Sequence, residues 1–438
     1  MRITRVLAPD DYGVFTFLAM QGMLLLTIGD LGIRNIIIRS IARDKERTND
    51  LMYNGVLLKT LSILFLSLLY IGYNSWFGSL SAWQLSLLFI FSLISCFSNL
   101  FENAFLGHEK MLPPALGSLV HSVLWFTAVY TLPVELISPN LLFVVFVVLH
   151  AMKAMLFYWF LRHYDLLQGQ VQSFWRSTRT LLRESWPYFA LVLVMLPFTK
   201  LSNNFLDINS NLEQVGYYNL ADKLVGPVSL VLDLALAAIF PNLSSLWVKD
   251  KDRFNQFIST GFRYFMLLSM LLCFVFTLYV EEVVIFLFPA SYLPAVPVCQ
   301  IQIWLLFLLS VDSFIGTILG ATDKEKLILR LGIVHSLFAT PILYYGSNYG
   351  ALGLSYGQIF SFTVFQLYLW YVFRKALKIK VQHRNILWLI AGFLFVVSYF
   401  SYLVPTDYAL TYKIVLTVCV LGIAGIYVLR TLKLAEVK

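Results

Sequence analysis

Two lysines, Lys200 and Lys223, stand inside stretches that are otherwise apolar. Counting back from Asp207, Lys200 lies about 10 Å into its stretch at 1.5 Å per residue, and Lys223 lies about 12 Å past Val215 in the next one. Two antiparallel neighbours would thus hold ammonium groups at nearly one depth. Each stands beside a helix-perturbing proline, Pro197 before Lys200 and Gly226-Pro227 after Lys223. A proline that frees a carbonyl is tolerated where helices line a cavity. Lys200, Asn204 and Asp207 also share one helix face by their spacing. Such a patch could receive an anion. The plainer reading is lysines snorkelling to the outer headgroups, or Lys223 paired with Asp222 or Asp207.

Other ionisable residues sit at similar depth, and each has a functional and a plain reading. Asp30 has Arg34 four residues later, which makes a local ion pair the simple account. Asp233 has Ala237 at the same spacing, and an unpaired carboxylate there could bind and release a proton. Lys59 lies about 12 Å from one end of its span, within snorkelling reach of the surface. His150, Lys153 and Asp312 fall near mid-span, with His150 and Lys153 on one face. A histidine in a span is more often a packing residue than a proton carrier, and His121 and His335 read the same way. Glu102 could pair with Lys110 or a headgroup. Gly353 and Gly357 allow close helix contact.

The elements that must position these residues are membrane helices. Of 438 residues, 59% are hydrophobic and 13% charged. Mean hydropathy is +0.76. A soluble chain is about 25% charged. Apolar runs of about 20 residues, the length of a transmembrane helix, recur throughout. They fall near 13–38, 51–73, 83–106, 112–132, 140–161, 185–206, 215–240, 257–280, 297–319, 327–345, 351–373, 385–403 and 411–430. The expected fold class is an all-α polytopic membrane protein. Cys96, Cys273, Cys299 and Cys419 form no C-x-x-C pair and read as buried apolar groups, with no metal or disulfide role. The sequence holds no G-x-x-x-x-G-K-[ST] loop, so nothing points to an ATPase. It implies no cofactor, metal or nucleic-acid partner.

The net charge of +8 is arranged, not spread. Basic clusters such as Arg39–Arg47, Arg176–Arg183, Lys249–Arg253 and Arg374–Arg384 alternate without a break with connections that have no Lys or Arg, such as Pro133–Pro139 and Asp207–Gln214. By the positive-inside rule the C-terminus is cytoplasmic. The chain also repeats itself. LAPDDYGVF (7–15) matches SNLEQVGYY (210–218), placing Gly13 on Gly216, and the same separation of 203 carries Asp30 onto Asp233. A second echo joins FLGHEKM (105–111) to ILGATDKEKL (318–327). Two half-chains of one topology make a parallel repeat, as in several secondary transporters. In the second half a full span, 185–206, precedes the matched loop. Carried back, that span would end near Ile3, so the first half is expected to lack the opening helix of a fourteen-helix arrangement, with thirteen present.

The stretch RVLAPDDYGVFTFLAMQGMLLLTIGDLGIRNIIIRSIAR resembles the region after the first helix of the polysaccharide-transporter branch of the multidrug/oligosaccharidyl-lipid/polysaccharide (MOP) exporter superfamily. LEQVGYYNLADKLVGPVSLVLDLALAAIFPNLSSL resembles that branch's eighth helix and its flanks, and NYGALGLSYG the start of its twelfth. Ala8 stands where the family usually has Gly. The resemblance implies two pseudo-symmetric lobes around a central cavity, residues 1–163 and 185–380, joined by a cytoplasmic linker, 164–184, with two further helices in 381–438. It implies translocation of undecaprenyl-diphosphate-linked oligosaccharide across the cytoplasmic membrane for O-antigen, capsule or exopolysaccharide synthesis. Glycan polymerase and chain-length proteins of the same pathway would be partners. Lys200, Lys223, Lys59 and Arg34 are then candidates for diphosphate or anionic sugar. Asp233, Asp30, Asp222, Asp312, His150 and Lys153 are candidates for coupling or cavity polarity. Tyr12, Tyr217 and Tyr218 could stack on sugar. A drug/cation antiporter of the same superfamily would favour a carboxylate-rich cavity instead. A membrane glycan polymerase or ligase would need a large catalytic loop, which the short outer connections do not offer.

Overall fold

The computed structural model describes residues 2–78, 80–171, 174–322, 325–377 and 410–436. All of its long elements are helices, and no strand occurs among the described residues. In chain order they are α1 (Arg2–Val6), α2 (Pro9–Gly29), α3 (Ile33–Arg43), α4 (Thr48–Phe77), α5 (Ala82–Gly107), α6 (Leu112–Thr131), α7 (Pro139–His163) and α8 (Phe174–Thr199). There follow α9 (Ser202–Asn209), α10 (Leu212–Lys249), α11 (Lys251–Leu287), α12 (Ala295–Ala321), α13 (Glu325–Gly346), α14 (Gly350–Leu377) and α15 (Leu410–Glu436). Seven described helices are long and apolar enough to cross a membrane. The span expected at 385–403 lies outside the described residues.

Local chemistry sets the helix starts. Pro9 and Pro139 occupy first-turn positions, where the missing N–H costs nothing. Ser138 accepts from the Leu141 amide, and Ser81 forms a reciprocal capping box with Gln84. Two expected spans are broken. The run 13–38 divides into α2 and α3, because Leu31 and Gly32 take left-handed φ values of 51° and 68°. The run 185–206 divides at Lys200–Leu201, three residues past Pro197. Other helices outrun the bilayer. At 38 residues α10 spans about 57 Å, against about 30 Å of hydrocarbon.

Contacts divide the chain into two units, Met1–Asn219 with Ser336–Leu354, and Leu220–His335 with Ser355–Lys438. In the first, Ile33, Ile37 and Ile41 of α3 meet Leu51 and Leu58 of α4, Leu100 and Phe105 of α5, and Phe157 and Leu161 of α7. In the second, Phe262, Phe265 and Met266 of α11 pack with Ile303, Phe314 and Ile318 of α12. Helix α15 is fastened to α11 by Lys413 on Glu282 at 2.5 Å and by the Tyr279–Thr417 hydroxyl pair at 3.0 Å. Along α4, Leu61, Leu64, Phe65 and Leu68 are left uncovered by protein, the surface a helix turns to acyl chains.

Candidate functional site

The α2–α3 joint gathers the first ionic group. Asp30 ends α2, and its carboxylate receives the ammonium of Lys59 from α4 at 2.5 Å. The Lys59 side chain is 0% exposed and that of Asp30 22%. Burying either charge alone would cost several kcal/mol, so the two are held as a pair. The sequence offers Arg34 as the partner of Asp30, but only the Arg34 amide approaches it, at 3.4 Å, while the guanidinium lies 3.9 Å from Glu102. Lys59 therefore does not snorkel, and Glu102 is met by Arg34 and not by Lys110. The joint is also packed tightly against α8. A Cβ on Gly32 would lie 2.6 Å from the Phe189 amide nitrogen and 3.0 Å from the Ser185 carbonyl. With its positive φ, position 32 needs glycine on both counts.

A second group forms where repeat-related positions meet. A Cβ on Gly13 would run into the Leu212 carbonyl, and one on Gly216 into that of Pro9. Pro9 and Leu212 are separated by the same 203 residues as the two glycines, so α2 and the start of α10 cross with matching contacts on either side. One turn further, Asn219 donates to the Thr16 hydroxyl at 3.1 Å, across 203 residues again, while that hydroxyl donates to the Tyr12 carbonyl at 2.9 Å. Deeper along α2, Gln21 and Asn204 exchange both amide hydrogen bonds, at 3.0 and 3.1 Å. All four polar residues are buried. Sequence reasoning picked the glycines and Asn204, but not Thr16, Asn219 or Gln21. The repeat alignment pairs Thr16 with Asn219 and could have found them. Lys200 stands at the nearby α8–α9 break, partly buried.

The repeat shows in the helix ends as well. Arg2 of α1 donates to the carbonyls of Tyr130 in the last turn of α6 and of Leu132 just after it, the latter at 2.7 Å. In the second half Asn209 of α9 donates to the Tyr344 carbonyl at 3.1 Å and the Ser347 hydroxyl at 2.8 Å, at the end of α13.

A third group lies between α6 and α7, where His121, His150 and Lys153 come together. His121 Nε2 is 3.2 Å from His150 Nδ1. With Lys153 and apolar side chains, His121 lines a cavity of about 410 Å³. In the second unit, Asp222, Lys223 and Asp233 lie on faces of α10 that protein does not cover, and Asp312 is half-buried on α12. Lys200 and Lys223 belong to different units, as do Asp30 and Asp233. Cys96, Cys273 and Cys299 are buried thiols, and no cluster of metal-ligating side chains occurs among the described residues.

A helical chain with ionic and amide groups set inside apolar spans is the build of a membrane transporter. The family described as polysaccharide biosynthesis protein matches residues 2–247 of the chain. That is more than half its length, and the chain belongs to this family, within the MOP superfamily. No curated protein sequence matches it. Among solved structures, the lipid II flippase MurJ in an inward closed conformation superposes with a TM-score of 0.76 at 14% identity, over 98% of this chain and 95% of that one. An inward-facing multidrug resistance MATE family transporter gives 0.66 at 14% identity, over 86% and 93%. The Vibrio cholerae MATE transporter VcmN in its bent form gives 0.52 at 16% identity, over 84% and 95%. The fold is that of the MOP transporters.

Proposed function

We propose that this chain carries undecaprenyl-diphosphate-linked oligosaccharide across the cytoplasmic membrane by alternating access, for O-antigen, capsule or exopolysaccharide assembly. The observation that carries the reading is the placing of lysines within apolar spans, Lys153 and Lys200 among them, in a chain of the polysaccharide biosynthesis family. A diphosphate crossing hydrocarbon needs such cations, since a bare charge there costs several kcal/mol. No bond is made or broken, and the C-terminus faces the cytoplasm.

In this reading the lobes 1–163 and 185–380 rock about the substrate, and headgroup binding to one open state shifts their equilibrium. The α2–α10 crossing at Gly13 and Gly216 closes the outer side. Its polar contact Thr16–Asn219, and the Gln21–Asn204 contact of α2 with α9 beside it, are neutral hydrogen bonds worth about 1 kcal/mol each net. When the crossing opens, sugar hydroxyls replace them at little cost. An apolar seal would instead expose its surface to a glycan. Asp30 and Lys59 tie the α2–α3 joint to α4, so that motion at the joint is coupled to an arriving anion that competes for Lys59. Lys200 and Lys223 attract the diphosphate nearer the outer surface.

The test compares two cargoes in liposomes holding the purified chain. Transfer of a lipid-diphosphate oligosaccharide between leaflets, without uptake of organic cations, is the expected result. Cation uptake coupled to a proton or sodium gradient, without lipid transfer, would replace this reading by the antiporter.

A further inference from the structure

The α6–α7 cavity is lined by one cation, Lys153, and one imidazole, His121, among apolar side chains. Lys153 lies about 15 Å from the His163 end of α7 and about 21 Å from the Pro139 end. His121 is near the middle of α6, about 14 Å from Leu112 and 15 Å from Thr131. Lys153 and His121 therefore both stand near the middle of their helices, close to mid-membrane. None of the ion pairs among the described residues includes Lys153, and its near neighbour is the face of Phe157, with the ring centroid 5.3 Å away. The imidazoles beside it are ordered by a backbone bond. His150 Nδ1 lies 2.9 Å from the Phe146 carbonyl, which can only accept, so this nitrogen carries the hydrogen. The same N–H faces His121 Nε2, which leaves His121 Nδ1 as the hydrogen-bearing nitrogen in the neutral pair. Around these groups Leu124, Met152, Leu156 and Trp159 form an apolar wall, and the cavity is open on one side.

We propose that this cavity is a mid-membrane station for the diphosphate of a polyprenyl-linked substrate, with Lys153 and His121 receiving the phosphates and the apolar wall receiving the first isoprene units. The inference rests on the flippase reading and assigns the place where the charge pauses in crossing. Three features select this occupant. The site pairs a cation and an N–H donor with an apolar surface, as an amphiphile with an anionic head requires. Its depth excludes the headgroup of an ordinary phospholipid, which stays at the interface. The uncompensated ammonium calls for an anion, which a neutral lipid chain lacks.

The experiment uses the full chain in nanodiscs of phosphatidylethanolamine and phosphatidylglycerol, with undecaprenyl diphosphate as probe and undecaprenol as its uncharged control. Lys153→Gln is expected to weaken diphosphate binding by about tenfold or more and to leave undecaprenol unchanged. Lys153→Arg is expected to keep binding within about threefold, because the charge remains. A photoreactive side chain at Met155 is expected to crosslink the probe, with unlabelled diphosphate competing. Equal binding by Lys153→Gln in a variant that melts like the parent would overturn the proposal. So would crosslinks from Met155 to phosphatidylglycerol, or to a further polypeptide segment covering the groove. Lipid transfer that is indifferent to Lys153 would remove the station and leave the flippase standing. Lys153-dependent binding without lipid transfer would remove the flippase and leave the site.

Discussion

Lys59 and Asp30 show how much one pair decides. A fully buried ammonium 2.5 Å from a half-buried carboxylate is stable as a unit, and breaking it leaves a buried charge without compensation. Asp30→Asn is expected to cost about 3–5 kcal/mol, and the uncharged double variant Asp30→Asn/Lys59→Met to recover most of that loss. Thermal unfolding in detergent checks this, and equal destabilisation by the single and double variants would contradict it. The pair is not legible in the sequence. Its members are 29 residues apart on different helices, and only packing distinguishes Lys59 from Arg34 as partner. His108 supplies a pH effect outside the spans. Its ring lies 2.9 Å from the Thr48 hydroxyl, and burial first, then the charges of Lys45 and Lys110, push its pKa below the ordinary 6.5. A lowered folded pKa means that the neutral ring is the stable form. This contribution is complete above about pH 6.5 and is lost as the pH falls below it, where the unfolded chain takes up a proton that the folded chain resists. Melting temperature should fall more steeply below pH 6.5 in the parent than in His108→Gln; identical slopes would contradict the assignment.

At the scale of elements, the α2–α10 crossing is half visible in the sequence. The repeat set Gly13 on Gly216, but a repeat says which positions correspond and not that they touch. In the structure they do touch, and the Thr16–Asn219 bond repeats the relation one turn on. A Thr16→Cys/Asn219→Cys pair is therefore expected to form a disulfide under mild oxidation, and Gly13→Val to suppress it by forcing the helices apart. Rapid crosslinking in the valine variant would contradict the contact. The break between α2 and α3 was hidden for a different reason. Apolar residues run on both sides of Asp30-Leu31-Gly32, so hydropathy reads one span, and the left-handed backbone is a local event to which such a window is blind. Helix α8 was hidden from the opposite side. Its polar first turns read as loop by hydropathy, yet they continue the helix, and Arg39 of α3 holds Glu184 at 2.8 Å.

For the whole molecule, composition and the alternation of basic clusters were enough to give a polytopic helical membrane fold, because burial in lipid leaves backbone groups few alternatives. Residue contacts were not given, since the apolar spans are alike in composition and any two could neighbour. The central claim is movement of a lipid-linked glycan between leaflets, and the direct measurement is protection of that glycan in liposomes. Lipid-diphosphate oligosaccharide is placed in both leaflets, a glycosidase is added outside, and the protected inner-leaflet fraction is followed in time. The purified chain is expected to expose this fraction rapidly. The oxidised Thr16→Cys/Asn219→Cys variant is expected not to, and reduction to restore the exposure. Protection that persists as in protein-free liposomes would rule out transfer by this chain, and transfer that continues through the closed disulfide would rule out opening at the α2–α10 crossing.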